Sequence, residues 1–553
     1  MTHAPHLPPT GDTTSGPRPP LTSSWWPAEP APPLADLTVG AALRSAAHDH
    51  PDTVALVEGL PDAAQRRRWT YAQLLEQAET VARALLARFE TGERVAVWAN
   101  NRPEWVLLEY GAALAGITLV TVNPALRAGE VRHVLGHSRA AGLLHIPEYR
   151  GCVLSEILAQ VRAELPHLRE AVSLADWDRF LSEGERGQPL PAVSPDSAAQ
   201  LQYTSGTTGT PKGVLLRHRG VVNNARLYAE RCGLHPGGVQ VSPMPLFHTA
   251  GCVVSVLGAL AVGGTLVLPP VFDPALVLNL LETEGADTLI GVPTMLIGLL
   301  DHADFARTDL SRLARVISGG AVVLPELVHR VETQTAATVS VLFAQTEASP
   351  VITGTSPQDS ARDRAETLGR PLPHTDVRII SPADGEVVPV GTVGELCTRG
   401  YHVMMGYFDA PDSTAGTIDG DGWLHTGDLA SMDDRGYCRI EGRLKDMIIR
   451  GGENIYPREI EDVLFQHPDV ADVAVVGVPD DTWGEQVAAF VLPAPGHTPD
   501  TDGLREYCLA RLARHKVPKH WEIVEELPLT ASGKVQKVKL RERYADRKAG
   551  GPA

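Results

Sequence analysis

The run Tyr203-Thr204-Ser205-Gly206-Thr207-Thr208-Gly209-Thr210-Pro211-Lys212-Gly213-Val214 gathers three glycines, four threonines, a serine and a lysine behind the apolar Leu201. Glycine lets a backbone N–H turn toward an anion with no Cβ in the way. Hydroxyls add donors, and Lys212 adds a point charge, so the chemistry fits a polyphosphate cradle. It is not a Walker motif, because Lys212 is followed by Gly213 rather than Ser or Thr. The competing reading is a Ser/Thr/Gly-rich surface loop. Three further residues have suitable chemistry but a bland alternative when taken alone. Glu347 would be a surface carboxylate, His248 a satisfied core histidine, and Lys534 a solvated tail lysine among Lys537, Lys539 and Arg541.

The elements that must position these residues alternate between helix and strand. Leu74 to Phe89 is expected as an amphipathic helix, Arg94 to Trp98 as a buried strand, Trp105 to Ala115 as a helix and Thr118 to Val122 as a strand; the rhythm recurs through Val316 to Ser318. Such alternation argues for parallel sheets covered by helices. From about 375 strands dominate: Val377 to Ile380, Gly394 to Cys397 and Tyr437 to Ile440. After Arg443 a smaller α+β pattern follows, with a helix over Pro457 to Gln466, a strand over Val473 to Val478 and a helix over Leu504 to Ala513. The expected fold is α/β: a large N-terminal domain of parallel-rich sheets with helices plus a small β-rich part, then a small mobile α+β C-terminal domain. Its parts are a disordered Pro-rich leader (1–35), the N-terminal domain (36–442), a hinge (443–446), the C-terminal domain (447–545) and a tail (546–553). Within the leader Trp25-Trp26 stands out, either as a docking element or as a sticky spot.

The 553 residues are enough for three or four domain equivalents at about 150 residues each. At 43% apolar and 21% charged, the chain reads as soluble and globular. Its net charge of −18 repels phosphate backbones, so nucleic-acid binding is not expected. Six scattered cysteines form no C-x-x-C pair, which excludes common zinc and thiol-redox patterns and suits a reducing, cytoplasmic compartment. No secretory signal is visible. The uncharged stretch from Ala250 to Val271 is long enough to span a bilayer. Gly263-Gly264 breaks it and Pro269-Pro270 ends it, so a buried helix–turn–strand unit is expected instead of a transmembrane segment.

The 203–214 run closely resembles the phosphate loop of the adenylate-forming superfamily, which includes acyl-CoA synthetases, nonribosomal adenylation domains and firefly luciferase. The resemblance covers roughly residues 40 to 545. It implies that Thr204, Ser205, Gly206, Thr207, Thr208, Gly209 and Lys212 hold the phosphates of ATP. Ser318-Gly319-Gly320-Ala321 is similar to the family's adenine-facing turn. Phe343-Ala344-Gln345-Thr346-Glu347 is similar to the next motif, whose aromatic residue stacks on adenine, whose Thr contacts phosphate and whose Glu holds Mg²⁺. The family commonly has Gly at the position of Ala344. Asp428, in Trp423-Leu424-His425-Thr426-Gly427-Asp428, matches the carboxylate that accepts both ribose hydroxyls, and Arg443 matches the second ribose contact. Lys445 falls at the hinge. Gly451, Gly452 and Glu453 resemble the loop closing the channel for CoA. Lys534, in Pro528-Leu529-Thr530-Ala531-Ser532-Gly533-Lys534, resembles the lysine that bridges the attacking carboxylate and the phosphate.

By the same resemblance, Pro245-Leu246-Phe247-His248 begins the acyl-pocket wall. Amino-acid-activating relatives tend to place Asp at this histidine position, so His248 argues against an α-amino-acid substrate. Val253 and Leu257, in an uncharged helix, are expected to line a pocket for an alkyl or aryl tail. The implied reaction is ATP-dependent activation of a fatty or aryl carboxylic acid, then transfer to CoA, with catalysis by Lys534, Thr204, Glu347 and His248. The overall texture is most similar to the medium- to long-chain fatty-acid branch. Three readings stay open: another acceptor such as a carrier protein or amine, nitrite activation to diazotise an aromatic amine in secondary metabolism, and a ligand-sensing relative without catalysis. Whether two copies form a homodimer is also open.

Overall fold

The structure, a computed structural model, describes residues 19–184, 188–204, 211–451, 453–480, 482–528 and 535–549. The phosphate-loop run starts from the end of a strand in a seven-stranded sheet. That sheet runs Glu170–Ser173, Gly142–His145, Arg94–Trp98, Thr118–Val122, Ala198–Thr204, Lys212–Arg217 and Gly406–Tyr407. The first five strands are parallel, and the last two turn antiparallel. A nine-stranded sheet carries the second group of candidates. Its parallel centre includes Thr288–Ile290, Arg315–Gly319 and Thr338–Ala344, with antiparallel strands toward both edges. A third, antiparallel sheet joins Trp25–Trp26, Thr375–Ile380, Gly394–Gly400, Leu424–Met432 and Cys438–Arg443.

The small C-terminal domain is built on a five-stranded sheet. Along its Val470–Asp480 strand the side chains alternate between two cores. Val473 and Val475 pack with Ile460, Leu464 and Leu504 on one face, and Ala474, Val476 and Val478 pack with Phe490 and Leu540 on the other. Both faces are covered, which is why this strand reads as an unbroken apolar run rather than an alternation.

Helix bounds shift from the sequence expectation where caps decide them. The helix expected from Leu74 starts at Tyr71, because Thr70 and Gln73 form a reciprocal capping box. The next helix starts at Pro103, a residue preformed for a first turn, and stops at Gly116 with φ +67°. The expected 504–513 helix spans Thr501–Leu509, moved forward by the Asp500 cap. The uncharged 250–271 stretch is a wide, π-type helix over Ala250–Leu257, a helical turn over Gly258–Ala261 and a buried strand over Thr265–Leu268. No helix among the described residues is long and apolar enough to cross a membrane.

One expectation needs correction. Residues 1–18 of the expected leader lie outside the described residues, but 19–35 are stitched onto the body. Trp25 and Trp26 pair with Arg378 and Val377, the Leu21 N–H donates to the Asp434 carbonyl at 2.8 Å, and Asn223 bonds both the N–H and the carbonyl of Ala35. Trp26 is 5% exposed and its ring lies on Gly436, where a Cβ would come within 2.1 Å of it. The Pro-rich composition hid this because a short edge strand has no periodicity to detect. Trp26→Ala is therefore expected to destabilise the fold by about 3 kcal/mol, the usual range for a buried large aromatic. Differential scanning calorimetry would check this as a drop in Tm of several degrees, against no change for Trp25→Ala, which removes a half-exposed ring.

Candidate active site

The first of the candidates sit at the carboxyl ends of parallel strands, where open α/β sheets place ligands. Thr204 ends the Ala198–Thr204 strand, and its register partner is Lys212. Ser205, Gly206, Thr207, Thr208 and Gly209 lie outside the described residues. Gly319 ends the Arg315–Gly319 strand, directly beside Leu342 of the neighbouring strand. A Cβ on Gly319 would meet the Leu342 carbonyl at 2.4 Å, and Gly320 has φ +74°, so both glycines are needed for this turn. Ala321 is exposed beyond it. The Ser318 hydroxyl beneath is buried with no partner among the described residues.

Phe343 and Ala344 end the adjacent strand at a bulge. Ala344 is not among the residues with positive φ, so the backbone does not demand the glycine common in relatives. The segment that follows joins all three N-terminal sheets. The Gln345 side-chain amide donates to Asp428 Oδ2 at 2.7 Å and to the Thr426 carbonyl at 2.9 Å, reaching the antiparallel sheet. Two residues on, Glu347 Oε1 accepts the Tyr407 hydroxyl at 2.9 Å. Tyr407 lies on the edge strand of the seven-stranded sheet, opposite Val214, and the Lys212 ammonium lies 4.9 Å from its ring centroid. Burial, reinforced by Glu347, pushes the Tyr407 pKa up, so the phenol stays protonated and donates. Thr346 is partly buried in this turn.

Asp428 is 5% exposed, and Arg443, its register partner, places Nε 3.2 Å from Oδ1. The turn before Asp428 rests on Glu395, which sequence reasoning missed. Glu395 Oε1 accepts the Gly427 N–H at 3.0 Å, and Oε2 lies 2.9 Å from His425 Nδ1. Together with Cys397 these side chains bring metal-ligand atom types within 4.8 Å. Glu395 and His425 already bond each other, and the buried Cys397 thiol has its pKa pushed up by desolvation, so the arrangement acts as a brace. The glutamate was hidden inside an alternating strand, thirty residues from the turn it supports.

His248 is exposed at the mouth of the π-type helix, and its Nδ1 accepts the Ala250 N–H at 3.2 Å. Gly251 allows the tight turn, since a Cβ there would lie 2.2 Å from the Pro245 carbonyl. Val253 and Leu257 are buried within the main core. Lys445 lies in the single turn Leu444–Asp446 that follows the last antiparallel strand. Loss of hydration holds its ammonium pKa below the usual lysine value. Gly451, with φ +60°, donates its N–H to the Trp483 carbonyl at 2.8 Å, and Arg450 stacks on the Trp483 ring. Glu453 pairs with Arg450 across this hairpin. Gly452 and Lys534 lie outside the described residues.

The candidates thus come from strand ends of two parallel-rich sheets, an antiparallel sheet carrying a braced carboxylate and a small second domain. The AMP-binding enzyme family matches residues 43–408 and its C-terminal domain matches 459–534. The Bacillus subtilis protein YngI is 42% identical, over 92% of this chain and 97% of its own. The mitochondrial medium-chain acyl-CoA ligase ACSF2 of Homo sapiens is 36% identical, over 92% of this chain and 87% of its own. ATP-bound MatB from Rhodopseudomonas palustris superposes with a TM-score of 0.84 at 28% identity, over 92% of this chain and 99% of its own. The chain belongs to the AMP-binding enzyme family, as an acyl-CoA synthetase that uses ATP and CoA.

Proposed function

We propose that the acid is an apolar monocarboxylate of the medium-chain fatty type, with aryl acids as the nearest alternative. The observation that carries this is the uncharged, buried Ala250–Leu257 helix directly behind His248. The full-length likeness to a medium-chain ligase supports it. The acid's carboxylate attacks the α-phosphorus of ATP and pyrophosphate leaves. The thiol of CoA then displaces AMP from the mixed anhydride. In this reading Thr204 to Gly209 and Lys212 hold the phosphates, Gly319 to Ala321 with Phe343 and Ala344 flank the adenine, and Thr346 reaches phosphate. Asp428 and Arg443 hold the ribose. Lys534 serves the first step, and Gly451 to Glu453 line the CoA channel after a swing about Lys445. Glu347 suits Mg²⁺, since Tyr407 engages only Oε1 and a hard cation prefers a carboxylate oxygen together with phosphate. Such an ion would offset charge on the phosphates.

ATP–pyrophosphate exchange driven by octanoate, with octanoyl-CoA formed on adding CoA, tests the reading. Exchange without any carboxylate response would overturn the substrate class. The brace gives a second test. Glu395→Gln trades one acceptor oxygen for an amide N–H₂ against the Gly427 N–H and His425, and is expected to raise KM for ATP about tenfold with KM for the acid unchanged. Equal changes in both would show that Glu395 does not act through Asp428. We place the enzyme in a reducing, cytoplasmic setting, because all six cysteines are free thiols. Light scattering on the purified chain distinguishes a monomer from a homodimer.

A further inference from the structure

One helix grips both stems of the phosphate-loop run. The helix Ala128–His137 lies beside the Ala198–Thr204/Lys212–Arg217 pair and carries His133 and His137, one turn apart. His133 Nε2 lies 3.0 Å from the Pro211 carbonyl, on the stem where the run ends. A carbonyl only accepts, so Nε2 carries the proton. His137 Nδ1 lies 2.8 Å from the Tyr203 hydroxyl, on the stem where the run begins. The two imidazoles stack with centroids 5.5 Å apart, and the Phe408 ring meets His137 edge-on. Arg94 and Arg139 lie over Phe408, and Arg139 pairs with Asp409. His133, His137, Pro211, Lys212, Gly213, Phe408 and Ala410 surround a cavity of about 200 Å³. Burial and the neighbouring His133 hold the His137 pKa below the ordinary histidine value.

We propose that His133 and His137 are positioning residues that clasp the two ends of the phosphate-loop run and thereby set the enzyme's affinity for the ATP phosphates. The inference rests on the adenylation reading above. The two bonds hold Tyr203 and Pro211, the immediate chain neighbours of Thr204 and Lys212, and so set where these two paired phosphate candidates stand. The clasp therefore acts on ATP and not on the acid or on CoA.

The test uses the full chain and separates the two half-reactions. His133→Ala and Tyr203→Phe, the latter removing only the hydroxyl held by His137, are each expected to raise KM for ATP about five- to tenfold. KM for the acid, and thioester formation from supplied acyl-adenylate and CoA, should stay within about twofold. His133→Gln should restore ATP affinity, because its amide nitrogen reaches about as far as imidazole Nε2 and donates to the same carbonyl; it also keeps the test available if the alanine variant fails to fold. An unchanged KM for ATP in folded variants overturns the clasp. So does a parallel loss of both half-reactions, which would mark a general structural role. Absence of ATP–pyrophosphate exchange in the unaltered enzyme would instead bring down the adenylation reading, and the clasp with it.

Discussion

Lys534→Ala is expected to slow acyl-adenylate formation by about 10²- to 10³-fold, the size of effect seen when one preorganised charge is removed from a transition state. Thioester formation from supplied acyl-adenylate should remain close to that of the unaltered enzyme. The asymmetry follows from where negative charge meets negative charge. In the first step a carboxylate approaches a triphosphate, and a cation between them offsets repulsion that grows as the new bond forms. In the second step a thiol attacks an anhydride whose leaving group is already AMP. Lys534 lies outside the described residues, but the chain on either side is held. The Gln536 N–H donates to the Pro528 carbonyl at 2.7 Å. Lys537, at the start of the last helix, pairs with Glu461 at 2.7 Å, and Glu461 in turn accepts the Val475 N–H inside the small domain. Single-turnover assays of each half-reaction would decide it. Equal losses in both would remove Lys534 from the first step.

Much of this site could be read from local pattern, and the remainder depends on distance along the chain. Arg94–Trp98 and Thr118–Val122 appear as strands with the expected bounds, because a buried parallel strand is a short apolar run between breakers. The glycines at 319 and 320 entered through the resemblance, as a turn facing adenine; the structure adds that a Cβ on Gly319 would meet the Leu342 carbonyl. Gln345, by contrast, entered only as part of a motif. Its work is a bond to Asp428, 83 residues away, and no periodicity reports such a contact. Tyr407, Glu395 and His133 were missed for the same reason. Each looks ordinary in its own segment and gains meaning from a partner far along the chain. Helix bounds differ from the apolar pattern at caps, where side-chain hydrogen bonds to the first turn outweigh it, as at Thr70 and Asp500.

The largest discrimination is expected between acids. Octanoate should exceed the matching 2-amino acid by several orders of magnitude in kcat/KM. An ammonium buried without a partner costs several kcal/mol, whereas each buried methylene gains about 0.8 kcal/mol, so tail length cannot compensate for the charge. Behind His248, the helix residues Cys252, Val253, Val254, Val256 and Leu257 are apolar and Ser255 is uncharged. Ser255 is also committed, since its hydroxyl meets that of Ser242 at 2.6 Å. His248, where amino-acid-activating relatives tend to place Asp, brings no carboxylate to pair an ammonium. Enlarging Val253 or Leu257 to Trp tests the same wall from inside. Either change should shorten the accepted chain while KM for ATP stays put, because the residues proposed to hold the nucleotide lie on other elements. The assay compares octanoate, an aryl acid, a free amino acid, and nitrite with an aminobenzoate, each with ATP and with or without CoA. Turnover of the amino acid would overturn the pocket argument. Nitrite-dependent AMP release with silent carboxylates would move the substrate to the diazotising chemistry while leaving the nucleotide contacts as they stand.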